Sequence, residues 1–241
     1  MDAAALREAV ASNPSWYHTI ELAPGVVTPG HVDLRGLPAA VLPASLAGVR
    51  ALDVGTFDGF WAFELERRGA EVVALDVPAA DAAEWPPANR RRLEAAARES
   101  GLELGRGFAV AADALESNVR RVECPVYDLT AEAIGGAVGF SFLGAMLLHV
   151  RDPVRALEAV RGVLAPGGRL TILEPVDPWL SLLAPRRPAA RFQATETDFN
   201  WWASNVACLE AWLRAAGFAH VARGGLHRAA GLTQCALAAW G

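Results

Sequence analysis

Short apolar runs alternate with stretches of helical spacing along most of the chain from about residue 49 onward. Runs at 49–54, 72–76, 119–123, 137–143, 169–174, 219–223 and 233–239 have strand length and end at Gly, Pro or charged residues. Between them, at 59–69, 88–100, 107–116, 152–164 and 205–216, apolar residues recur three and four apart, which predicts amphipathic helices. Such alternation predicts a Rossmann-like α/β fold, with a mostly parallel sheet and helices on both faces. Ala165-Pro-Gly-Gly168 reads as a helix stop and re-entry turn. Two regions break the pattern. Residues 2–12 predict a helix with Leu6 and Val10 on one face, but 14–47 are punctuated by Pro and Gly, with a short helix near 37–46. After 174, Pro175, Pro178, Pro185 and Pro188 interleave with Trp179, Phe192, Phe199, Trp201 and Trp202. Some thirty residues without periodicity in a compact domain predict a functional lid. The expected organisation is one domain: cap 1–47, core 48–175, lid 176–204, and C-terminal helix and hairpin 205–241.

Charge changes the picture of partners. The chain has 241 residues, a net charge of −5 and 22 basic residues, all of them arginine. An acidic total removes the usual electrostatic footprint of a nucleic-acid binder, leaving only the local clusters Arg90-Arg-Arg92, Arg120-Arg121 and Arg186-Arg187. No apolar run reaches the length of a membrane span, and the N-terminus does not read as a signal peptide. Cys124, Cys208 and Cys235 are isolated, which predicts free thiols, a cytoplasmic location and no metal site.

The turn after the first core strand carries the candidate chemistry. Asp53-Val-Gly-Thr-Phe-Asp-Gly59 runs from a strand into a helix, and the next strand ends in Asp76. This arrangement binds an adenosine-containing cofactor at the carboxyl edge of a parallel sheet. A dinucleotide fingerprint needs a glycine where Phe57 stands, so that backbone can approach the pyrophosphate. Asp53 and Asp58 would repel that anion but suit a sulfonium and an ammonium. S-adenosylmethionine is therefore the expected cofactor.

These residues resemble motif I of the class I S-adenosylmethionine-dependent methyltransferases. The string Gly-Thr-Phe-Asp-Gly, with Trp16-Tyr-His18, Thr28-Pro-Gly30, Asp33, Arg35, Val126-Tyr-Asp-Leu129, Leu147-Leu-His-Val-Arg-Asp-Pro153 and Asn200-Trp-Trp202, is similar to the branch of the tRNA wobble-uridine (carboxy)methyltransferases, in a shortened form. The resemblance covers roughly residues 14–220 and implies a seven-stranded sheet closed by an antiparallel hairpin. It implies that Asp76 holds the ribose hydroxyls and Asp128, beside Tyr127, the adenine amine. It also implies that the end of the fourth core strand, with Leu143 and then His149, points toward the transferred methyl.

The expected cofactor-binding set is Asp53, Gly55, Thr56, Phe57, Asp58, Gly59, Asp76, Val77, Tyr127, Asp128 and Leu143. Either Asp53 or Asp58 would meet the ammonium. The proton acceptors to consider are His149, His18 and Tyr17, and His149 reads equally as a base or as a structural histidine at a helix start. Trp16, Tyr17, His18, Glu174, Phe199, Asn200, Trp201 and Trp202 form the expected acceptor pocket, with Asp198 and Asn200 as polar orienting groups. One of the two tryptophans would pack on the core and the other line a planar pocket.

The leading expectation is methyl transfer to O, N or C of a small planar or apolar acceptor. The resemblance implies tRNA as an alternative, although the carboxylated cofactor of that branch is recognised partly through lysine, and this chain has none. A third expectation is the same fold turned to another reaction. Oligomeric state is not legible.

Overall fold

The computed structural model describes residues 2–195 and 199–241. The chain opens with α1 (Ala3–Ser12), β1 (Glu21–Ala23), β2 (Val26–Val27) and α2 (Pro38–Val41). The core follows with β3 (Arg50–Val54), α3 (Phe60–Glu66), β4 (Glu71–Asp76), α4 (Pro87–Ser100), α5 (Arg106–Ala114), β5 (Arg120–Glu123), α6 (Ala131–Ile134), β6 (Val138–Gly144), α7 (Pro153–Gly162) and β7 (Leu164–Pro175). Then come α8 (Pro178–Leu183), β8 (Ala190–Phe192), β9 (Trp202–Ser204), α9 (Val206–Ala215), β10 (His220–Ala229) and β11 (Leu232–Trp240).

Seven strands form one sheet in the order β10-β11-β7-β6-β3-β4-β5, with only β11 antiparallel to its neighbours. The order reverses between β3 and β6. That switch point opens a crevice at the carboxyl ends of these strands, where open α/β sheets bind ligands.

Alternation along the strands sorts the core into two layers. Ala51, Val72, Ala74, Phe140 and Phe142 join α3, α5, α1 and the segment 16–46 in one cluster. Leu52, Val54, Val73, Leu75, Leu143, Leu170 and Ile172 join α7 and α9 on the other face. Truncating one of these fully buried leucines to alanine would cost about 2–5 kcal/mol.

The predicted elements appear with three informative differences. Ala165-Pro-Gly-Gly168 does not separate a turn from a strand. It bulges out within β7, so Val138 pairs with Leu164 and Phe140 with Arg169, and Gly167 takes φ 77°. The final hairpin is longer than 219–223 and 233–239, because a register shift between Arg223 and Gly225 absorbs glycines that read as breakers. The region 175–204 is not without regular structure: it holds α8 and a hairpin in which Phe192 pairs with Trp202.

Candidate active site

Beyond Val54 the chain turns through Gly55 (φ 76°), Phe57 (φ 49°) and Gly59 (φ 92°) into α3. The N–H groups of Gly55 and Thr56 both donate to Leu75 O, at 2.9 and 3.0 Å. A Cβ on Gly55 would come within 3.1 Å of Met146 Cγ, and one on Gly59 within 2.4 Å of Phe63 Cε2. Phe57 tolerates the left-handed region, which costs about 1–2 kcal/mol, because its N–H donates to Asp76 Oδ2 at 2.7 Å. Asp76 Oδ1 accepts from Val77 N at 2.8 Å. The carboxylate at the end of β4 thus shapes the turn and, with about four lone-pair positions, keeps capacity for further donors.

Asp53 lies at the base of this turn, 1% exposed. Burial pushes its carboxyl up to about 7, against the stabilising influence of Thr56 and His18 and with the charge of Asp76 adding to the rise. The Thr56 hydroxyl is near enough to favour the ionised acid, yet neither Thr56 Oγ1 nor Asp53 Oδ2 makes a hydrogen bond of ordinary geometry. A buried carboxyl oxygen and a buried hydroxyl that make no hydrogen bond are costly unless a ligand meets them. Lying beside a crowded turn, they fit the cationic methionine end of S-adenosylmethionine.

Asp58 behaves differently. Its Oδ2 accepts from Tyr17 N at 2.9 Å and His18 N at 2.7 Å, and its Oδ1 contacts His18 Nδ1. Trp16 packs in the core and its indole donates to Val10 O at 3.0 Å, so it is not a pocket residue. His18 is also buried and stacks on Phe60 at 5.3 Å. Of this triplet only the Tyr17 ring reaches solvent, 37% exposed and edge-on to Phe57. Burial raises its phenol pKa, and the charges of Asp58 and Glu174 raise it further.

On the far edge of the crevice the expectations divide. Asp128 is exposed just past β5. The Tyr127 hydroxyl instead donates to Glu84 Oε2 at 2.6 Å and accepts from Asp152 N at 2.8 Å, with Arg155 over its ring at 4.7 Å. Tyr127 is a structural clasp. Leu143 is fully buried in the second core layer, because alternation along β6 turns it away from the crevice.

On the other side, Glu174 ends its run in β7 wholly buried, and its Oε1 accepts from Met146 N at 2.8 Å and Leu147 N at 3.0 Å. Burial pushes its carboxyl up to about 7, opposed by those backbone donors. Glu174 therefore fixes the loop that leads to His149. His149 Nδ1 lies 3.1 Å from Phe199 O. A carbonyl can only accept, so Nδ1 carries the proton and Nε2 holds the lone pair. Burial lowers the His149 pKa, against the pull of that carbonyl, so the ring is neutral at pH 7. Phe199 is exposed and faces Trp85 edge-on.

Trp201 is the core-packed tryptophan. Its N–H donates to Leu148 O at 2.7 Å and its indole to Glu84 O at 2.5 Å. Trp202 is half-buried against Phe192 at 5.6 Å. Asn200 is half-buried too, whereas Asp198 lies outside the described residues. Two residues that organise this side carried little sequence signal. Glu84 joins Tyr127, Arg151 N and Trp201. Asn205, a helix cap, also bonds the carbonyls of Ala184 and Arg187 and the N–H of Ala189, fixing the segment between α8 and α9.

Among the described residues no His, Cys, Asp and Glu group could hold a metal ion, and no helix is long and apolar enough to cross a membrane. The family described as "Methyltransferase domain" matches residues 52–172. The ubiquinone biosynthesis O-methyltransferase of Xylella fastidiosa is 34% identical over 129 residues, 53% of this chain; the chain spans only 42% of that protein's length. The N-terminal domain of EvdMO1 with SAH bound aligns at TM-score 0.60 and 18% identity, covering 100% of this chain and 97% of that one. The 1,6-didemethyltoxoflavin-N1-methyltransferase of Burkholderia thailandensis aligns at TM-score 0.53 and 23% identity, covering 86% and 80%. At these identities the two structures speak for the fold.

Proposed function

The chain belongs to the methyltransferase-domain family, whose cofactor is S-adenosylmethionine, and on that premise we propose that it methylates a small, planar, hydroxyl-bearing acceptor. The buried Asp53 Oδ2, which makes no hydrogen bond beneath the Gly55 turn, carries the cofactor assignment; the His149 tautomer carries the choice of a hydroxyl. When bound, the cofactor supplies an electrophilic methyl on a sulfonium. Asp53 and Thr56 would hold its ammonium, Asp76 its ribose hydroxyls and Asp128 its adenine amine. Tyr17, beside Phe57 of the turn, and Phe199, whose carbonyl meets His149, are both exposed and would flank a flat acceptor and exclude water. His149 Nε2 would take the hydroxyl proton as the oxygen attacks in line, a contribution worth about 100- to 10,000-fold.

A second reading, tRNA wobble uridine as acceptor, is favoured by the Trp16-Tyr-His18 and Gly-Thr-Phe-Asp-Gly strings and opposed by the net charge of −5. One experiment addresses both. The protein is titrated calorimetrically with S-adenosylmethionine, S-adenosylhomocysteine and NAD, then assayed for transfer of labelled methyl to phenols, catechols and bulk tRNA. Binding of the two adenosyl ligands with labelling of a phenol is the expected result. Labelling of tRNA alone would replace the first reading with the second, and failure of both adenosyl ligands to bind would overturn both.

A further inference from the structure

The N-terminal cap meets the cofactor turn at one buried carboxylate. Asp58 is 1% exposed, and the partners of both its oxygens are the Tyr17 N–H, the His18 N–H and the His18 ring. The segment bearing those donors is itself braced by hydrogen bonds. Thr19 N donates to Val32 O and Val32 N to Tyr17 O, at 2.9 and 2.8 Å, so two extended stretches lie side by side. Thr28 Oγ1 donates to His18 O at 2.7 Å and accepts from Ile20 N at 2.8 Å. Gly30 passes so close that a Cβ there would sit 2.0 Å from the His18 carbonyl carbon. Trp16-Tyr-His18, Thr28-Pro-Gly30 and the Asp58 of the turn therefore form one unit, although its hydrogen bonds join residues up to 41 positions apart along the chain.

Of the Trp16-Tyr-His18 triplet in this unit, Tyr17 is the side chain left exposed. Tyr17 lies against Phe57 of the turn with ring centroids 5.8 Å apart. We propose that Asp58 is a positioning residue and not a cofactor ligand: it holds Tyr17 of the cap over the methyl-transfer centre. Of the two carboxylates, Asp53 is then the one left to meet the ammonium, with Thr56 beside it. The inference rests on the methyltransferase reading, and it differs from a direct cofactor role in what an asparagine can do. In Asp58→Asn the amide oxygen still accepts the two backbone N–H groups, and the amide nitrogen can donate to a neutral His18 in the other tautomer. An amide cannot replace a carboxylate opposite an ammonium.

The test compares Asp58→Ala, Asp58→Asn and His18→Phe in the full chain, by amide hydrogen exchange without ligand and by calorimetric titration with S-adenosylhomocysteine. Exchange in residues 16–32 is expected to rise at least roughly tenfold in Asp58→Ala and His18→Phe and to stay near wild type in Asp58→Asn. Affinity for S-adenosylhomocysteine in Asp58→Asn is expected to stay within about threefold of wild type. If Asp58→Ala fails to fold, the His18→Phe and Asp58→Asn pair carries the same comparison. Unchanged cap exchange in the variants that lose contacts would overturn the proposal. So would a loss of affinity in Asp58→Asn as large as that in Asp53→Asn. A wild-type chain that binds no S-adenosylhomocysteine would instead overturn the methyltransferase reading, with the exchange data still judging whether Asp58 holds the cap.

Discussion

The proposed cofactor side and the proposed acceptor side of the crevice are assembled by different kinds of bond. The first is local: a turn of about five residues between β3 and α3, held by Leu75 O and Asp76 from the adjacent strand. The second is gathered from distant segments. Glu84 reaches Trp201 across 117 positions, and Asn205 reaches back to Leu180, Ala184 and Arg187. A local turn presents fixed backbone to an invariant cofactor. A side built from loops can change its acceptor while the turn stays as it is.

The contrast can be broken from either side. The largest effect is expected from His149→Ala: turnover should fall about 100- to 10,000-fold with cofactor affinity retained. Initial-rate kinetics alongside calorimetry check this, and a loss of affinity in step with turnover would remove the base role. Asn205→Ala should lower stability by about 2–4 kcal/mol, because it strands several backbone groups that are buried or part-buried. Denaturant unfolding measures that loss, while cofactor affinity measured well below the transition should hold. Asp53→Asn should weaken cofactor binding by roughly 10- to 100-fold, the worth of a charge-assisted bond.

The same carboxyl predicts a pH dependence. Its folded pKa of about 7 lies above the ordinary 3.8, so between those values the folded protein holds a proton that the unfolded chain has released. Stability from that proton is present in acid and lost as pH rises through 7. A cationic ligand favours the ionised acid, so affinity should climb roughly tenfold from pH 5.5 to 7. Asp53→Asn should flatten that climb, and a flat wild-type profile would count against Asp53 as the ammonium partner.

The legibility of the chain follows the same division. Strand and helix periods announced the sheet, and Asp53 through Gly59 announced the turn, because both depend on neighbours in sequence. Asp58 and Asp53 looked equivalent on paper. Only the fold shows one carboxylate engaged by the cap on both oxygens and the other with a buried oxygen that makes no hydrogen bond. Trp16, Leu143 and Tyr127 have the residue types of a pocket but lie on the wrong side of a strand or turn. Which side a residue faces depends on register and on partners such as Glu84, and neither is written locally.

Glu84 also bears on the order of events in time. It stands eight positions after Asp76, and it clasps Tyr127, the N–H of Arg151 and, through its carbonyl, the Trp201 indole. Under the proposed function, whatever settles the chain beyond Asp76 settles the loops against which the acceptor would rest. The expected consequence is a compulsory sequence of arrivals, with the methyl donor entering first and its spent form leaving last. S-adenosylhomocysteine should then compete with S-adenosylmethionine and act as a non-competitive inhibitor toward the acceptor, and Glu84→Ala should let the two substrates enter in either order.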